Sequence, residues 1–137
     1  MSDQPVITNF DIGTLELMNV EYRDVTLNAG GAVTYPEGQV LAFDATAAKW
    51  KITQSGTPAV ANAKAVLAEE IVFSGAGDKL VRAIIGGRVR EEKLVFDGSD
   101  TIDTIPAGVD DSFRTMLRAY GIIAESLPEQ RYLDNQP

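Results

Sequence analysis

The chain has 137 residues, 45% of them hydrophobic, which is enough for one domain with a single buried core. It carries no cysteine and no histidine, which excludes disulfides, thiolate nucleophiles, Cys/His zinc centres and histidine general bases. Its net charge of −8 repels phosphate backbones, so no nucleic-acid partner is expected.

No apolar stretch approaches the ~20 residues of a membrane span. Met1-Ser2-Asp3-Gln4-Pro5 lacks the basic and apolar regions of a signal peptide. The expectation is a soluble protein made in the cytoplasm, with no membrane partner. Val6, Ile7, Phe10 and Ile12 follow, then Leu15 and Leu17 at a two-residue spacing. Such a segment reads as an edge strand of its own fold, or as an arm that adds to the sheet of a partner. Tyr22 to Leu27 alternates and is predicted as a strand. Asn28 to Gly31 is predicted as a turn in which glycine supplies positive φ, and Pro36-Glu37-Gly38 as a second turn. The Gly30-Gly31 pair lacks the Gly-Lys-Ser/Thr ending and following helix of a phosphate loop.

Three apolar runs then dominate: Gln39 to Asp44, Lys64 to Phe73, and Lys79 to Val89. Each is bounded by Gly, Pro, Ser or Asp, the punctuation of strands joined by turns. The middle run is ambiguous alone, since Ala, Lys and Glu favour helix while Ile71, Val72 and Phe73 favour strand. Its neighbours make it the predicted central strand. Residues 44 to 49 form a hairpin loop, and Trp50 to Gln54 return, with Trp50 and Ile52 on one face and Lys49, Lys51 and Thr53 on the other. Trp50, the single tryptophan, suits either a cover over the open end of a barrel core or a ligand platform. Gly86-Gly87 predicts a bulge in the third run. Arg82, Arg88 and Arg90 alternate along it, as on one solvated strand face. Glu91-Glu92-Lys93 is a polar turn, and Leu94-Val95-Phe96 a further short strand.

Asp97, Asp100, Asp103, Asp110 and Asp111 crowd one stretch, but their spacing matches no calcium loop and the closing bidentate Glu is absent. They read as solvated loop carboxylates, and no metal or cofactor is expected. A late helix is predicted over about Asp111 to Tyr120, capped by Asp110 or Asp111. Phe113, Met116, Leu117 and Tyr120 form its apolar stripe, Arg114 and Arg118 lie toward its carboxyl end, and Gly121 stops it. Ile122 to Leu127 is a closing strand, and residues 128–137 a polar tail. The fold class is mostly β (α+β): a compact small barrel or sandwich-like domain over residues 21–127, one late helix, and an extended amino-terminal segment over residues 1–20.

Three stretches together resemble the head decoration proteins of tailed bacteriophages, the lambda type. They are a glycine turn leading into Gly38-Gln39-Val40-Leu41-Ala42, then Ala65-Val66-Leu67-Ala68-Glu69-Glu70 after a loop of small residues, then a late helix running into Leu117-Arg118-Ala119-Tyr120-Gly121-Ile122-Ile123. Their order covers roughly Gly30 to Ile123. The resemblance implies a capsid cement, not an enzyme. It would be a homotrimer on the virion exterior at three-fold positions of the expanded shell, clamping major capsid protein subunits against DNA pressure. It also implies that the amino-terminal arm docks on the capsid, with Val6, Ile7, Phe10, Ile12, Leu15 and Leu17 as its contacts.

Two other classes are open. A carboxylate-pair hydrolase using Asp110 and Asp111, or Glu69 and Glu70, requires adjacent residues to converge on one substrate, whereas neighbours on a strand point to opposite faces. Another virion part, such as a tail or baseplate adaptor or a head-fibre base, or a sugar-binding β module, is the second. An exposed Trp50 would favour the sugar binder.

Overall fold

The computed structural model describes residues 15–126. Eight strands and one α-helix follow in chain order: β1 Glu16–Ala29, β2 Val33–Tyr35, β3 Val40–Asp44, β4 Lys49–Ile52, β5 Ala65–Leu67, β6 Ile71–Phe73, β7 Gly77–Arg90, α1 Phe113–Ala119 and β8 Ile122–Glu125. The chain is mostly β, as its apolar runs bounded by turn residues predict.

Strand pairing closes on itself. The main sheet runs β1-β4-β3-β5-β7-β8, and β1 also pairs with β7. The ring β1-β4-β3-β5-β7 is thus a small five-stranded barrel, with β8 added in parallel along Gly87 to Arg90. β1 meets β4 in parallel at Leu27 opposite Trp50 and runs antiparallel to β7 from Glu16–Val89 to Ala29–Gly77. β2 and β6 form a separate two-stranded ribbon.

Both faces of this wall are buried, which explains why the apolar runs do not alternate. Val40, Leu41 and Ala42 are all fully buried, as are Ala65, Val66 and Leu67. One core inside the barrel gathers Val25, Leu27, Leu41, Ala65, Leu67 and Val81. A second, between the wall and α1, gathers Leu15, Val40, Val66, Ile84, Phe113 and Leu117. Each fully buried aliphatic side chain stabilises by roughly 1.5–3 kcal/mol relative to an exposed one.

The middle run is two strands, not one. β5 lies in the barrel and β6 in the ribbon, and Ala68, Glu69 and Glu70 make the crossing between them. A three-residue stretch fills its place in the wall, so length did not signal the break. Leu94 to Phe96 is also not a strand: only Val95 forms a bridge, parallel to Gln39.

The Gly86-Gly87 bulge is present. Pairing slips on β1 between Glu16 and Tyr22, opposite Gly86 to Arg88, and Asn19 itself takes φ 54°. The slip inverts side-chain parity along β7: Ile84 and Val89, five positions apart, bury in the same core. Arg82 and Arg88 therefore do not share a face, contrary to the alternation in sequence. Arg82 instead stacks over the Tyr22 ring at 4.2 Å, and Arg88 pairs with Glu125. At the first turn, Gly30 and Gly31 do not take positive φ. Gly38 does, at 96°, and the position also needs glycine because a methyl group there would fall on the Lys93 carbonyl.

The helix is shorter than expected and capped by Ser112, whose hydroxyl accepts from the Thr115 N–H at 3.3 Å; Asp110 and Asp111 lie exposed beyond it. Phe113 and Leu117 are fully buried. Tyr120, the expected end of the stripe, is 51% exposed because the helix stops at Ala119 and Gly121 turns the chain away. Arg114 stands in the first turn, not near the carboxyl end. It bridges Glu91 and Asp103, each at 3.0 Å, which raises its pKa further and fixes the helix start to the turn after β7.

Candidate functional site

A concavity opens at one end of the barrel, against the middle of β1 and β7, the end of β3, the start of β4 and the approach to β5. Mouths of small barrels are recurrent ligand sites. Arg23 of β1, Phe43 of β3, Trp50 of β4, Lys64 just before β5, Ile85 of β7 and Tyr120 after α1 line a cleft of about 410 Å³, open to solvent.

Local chemistry sets each wall. The β3–β4 hairpin is held by Asp44, whose carboxylate accepts from the N–H groups of Thr46 and Ala47 and from the Lys51 ammonium, at 3.0 to 3.1 Å. These donors hold its pKa below the usual carboxylate range, the Ala47 N–H most of all. Ala48 completes the turn at φ 58°. The hairpin register places Phe43 opposite Trp50, and their rings meet edge to face at 5.3 Å and 64°. On the other side of Phe43, Asn62 imitates a strand: its side chain accepts from the Phe43 N–H at 3.0 Å and donates to the Phe43 carbonyl at 3.4 Å. Thr53, fully buried, donates to the Asn62 carbonyl at 2.8 Å. The Lys64 N–H then bonds the Leu41 carbonyl at 2.9 Å, so Lys64 is delivered beside Phe43. Its ammonium lies 5.3 Å from the Tyr120 ring centre and 6.0 Å from that of Phe43.

The charge pattern is uneven. Asp44 pairs with Lys51, Asp78 with Lys49, and Asp103 with Arg114. Among the described residues, neither Arg23 nor Lys64 has a carboxylate partner. The Tyr120 hydroxyl and Trp50 indole N–H likewise have no hydrogen-bond partner there. Two cations without a carboxylate partner and two donors without a hydrogen-bond partner among the described residues thus belong to residues lining one aromatic cleft, on a chain of net charge −8.

Both sequence readings of Trp50 apply: it packs against the barrel core and also lines the cleft. The other lining residues were not singled out from sequence. Arg23 had a signal, since it shares inward parity with Val25, Leu27 and Ala29 on β1, where a cation is out of place unless it sits at an opening. Tyr120 was hidden by its apparent helical spacing.

The expected docking residues separate. Val6, Ile7, Phe10 and Ile12 lie outside the described residues. Leu15 is 1% exposed in the core against α1, which makes it part of the domain and not a surface contact. Leu17 is half-buried in β1, so residues 15–20 take part in the described sheet. Three of the clustered aspartates, Asp97, Asp100 and Asp103, serve local structure, whereas Asp110 and Asp111 are exposed. Asp100 accepts from the Ser55 N–H and hydroxyl at 2.9 and 2.6 Å, and Asp97 from the Gln54 amide at 3.2 Å. Among the described residues, no three acidic side chains converge as metal ligands would. No helix among them is long and apolar enough to cross a membrane. A scan of protein-family models and searches of curated proteins and of solved structures returned no match to the chain.

Proposed function

We propose that this chain is a head decoration protein of the lambda type. In this reading it is a structural virion protein that binds the outside of the expanded capsid as a homotrimer at three-fold positions and stabilises the head against DNA pressure. The observation that carries the reading is that the three stretches underlying the resemblance, far apart in sequence, meet in one core. The Gly38 N–H bonds the Leu67 carbonyl and the Leu67 N–H bonds the Gln39 carbonyl, both at 2.8 Å. Val40 pairs with Val66, and both pack with Leu117 and Ile122. A ligand of the mature shell alone stabilises it by RT ln(1 + [L]/Kd) per site, so modest affinity over many sites suffices. Val6, Ile7, Phe10, Ile12 and the half-buried Leu17 are the proposed contacts with the major capsid protein.

Purified protein mixed with undecorated, expanded capsids of its own phage should co-sediment saturably, at a multiple of three copies per three-fold position. Removing Ser2 to Thr14 should abolish binding and leave the fold intact. The cut stops at residue 14 because Leu15 is a core residue and β1 begins at Glu16. A well-folded protein that does not sediment with capsids sinks the decoration reading; binding that survives the truncation sinks the arm.

A further inference from the structure

We propose that the cleft at the barrel mouth binds an acidic sugar, a uronic-acid residue within a glycan chain. Its carboxylate would rest on Arg23 and Lys64 and its pyranose ring against Trp50. The site stands on its own geometry and does not depend on the capsid reading.

Four observations converge. Arg23 and Lys64 lack carboxylate partners among the described residues, although the chain carries 20 acidic against 12 basic residues. Several other described cations also lack such a partner, but Arg23 and Lys64 are the two that line the cleft, and two cations on one concave wall favour an anionic ligand there. The cleft wall is aromatic, from Phe43, Trp50 and Tyr120, which supplies flat apolar surface to the C–H face of a sugar. Phe43 and Trp50 meet at 64° and give no parallel walls to sandwich a flat base or aromatic acid, whereas a pyranose needs only one ring face. The Tyr120 hydroxyl and Trp50 indole N–H, which have no hydrogen-bond partner among the described residues, can meet sugar hydroxyls. Finally, the cleft is open, so a ring held there can belong to a longer chain. Its volume of about 410 Å³ falls within the range of small-ligand sites.

Trp50 is the only tryptophan and lines the cleft, so tryptophan fluorescence comes from this one position. The full chain is titrated with oligogalacturonate, with a neutral galacto-oligosaccharide of equal length, and with naphthoate. The expected result is a saturable fluorescence change with oligogalacturonate only, weakened by added salt. Arg23→Gln and Lys64→Gln should each weaken it about tenfold or more, the scale of a lost charge-assisted hydrogen bond. Both variants should keep the parent's thermal unfolding, since neither residue is a core member. No saturable response, an equal response to the neutral oligosaccharide, or unchanged affinity in both variants overturns the proposal. Binding of naphthoate without oligogalacturonate overturns the sugar assignment. Trp50→Phe followed by amide chemical shifts of Ile85 and Tyr120 places the ligand: movement of both supports the cleft, and movement elsewhere overturns it. Capsid sedimentation is a separate readout and can succeed or fail independently.

Discussion

At the scale of single residues, close backbone approach limits what the fold tolerates. Gly87 holds φ 106°, and a methyl group there would stand 2.5 Å from the Asn19 carbonyl oxygen and 2.6 Å from the Val20 Cα. Both obstacles are backbone, so neither can rotate aside. Gly87→Ala should destabilise by about 1–3 kcal/mol or more, whereas Gly56→Ala, with open space around it, should be near neutral. Urea unfolding of the two variants checks the contrast. Asp44 illustrates the electrostatic counterpart. It is 6% exposed, and its folded pKa is depressed by the Ala47 N–H first and then by Lys51. A depressed carboxylate contributes stability that is complete above its unfolded value of about 3.9 and is lost as pH falls through the folded one. Asp78, bonded by Asn28 and Lys49, and Asp103, bonded by Arg114, act in the same direction. Tm should therefore drop below about pH 4. Asp44→Asn should lower Tm at pH 7 and flatten this acid limb; an acid limb identical to the parent's would refute the role.

At the scale of elements, α1 has seven residues, too few to persist without packing. Its stability comes from the face pressed on the barrel. Phe113 is fully buried and stacks on Phe96 at 5.6 Å, and Leu117 is fully buried beside it. Leu117→Ala should cost about 2–5 kcal/mol, and Ser112→Ala, which removes only the cap, about 1 kcal/mol. Equilibrium unfolding should preserve that order. The same element shows how far sequence carried. Phe113, Met116 and Leu117 gave the helix and its buried face correctly, because helical period is a strong signal. Capping was assigned to the wrong neighbour, since three candidate caps stand in a row at Asp110, Asp111 and Ser112. The β3–β4 hairpin was legible from Asp44 and the apolar runs around it. The division of residues 64 to 73 into β5 and β6 was not, because burial on both faces erases the alternation that would mark where one strand ends. The cleft was legible only through Trp50: Lys64 and Tyr120 are distant in sequence and meet only through the third dimension.

At the scale of the molecule, the barrel is closed by the pairing of its first and fifth ring strands. This closure creates the mouth, and it removes the continuous free edge that an open sheet of these strands would present. It also sets an order in time. Glu16 is opposite Val89 and Ala29 opposite Gly77, so the partner of β1 is made long after β1 itself. A nascent chain that has reached residue 76 holds four of the five ring strands and lacks the one that joins them. Such distant contacts are slow to form. Closure of the barrel waits on β7, and until it leaves the ribosome β1 lacks the antiparallel partner that pairs along most of its length.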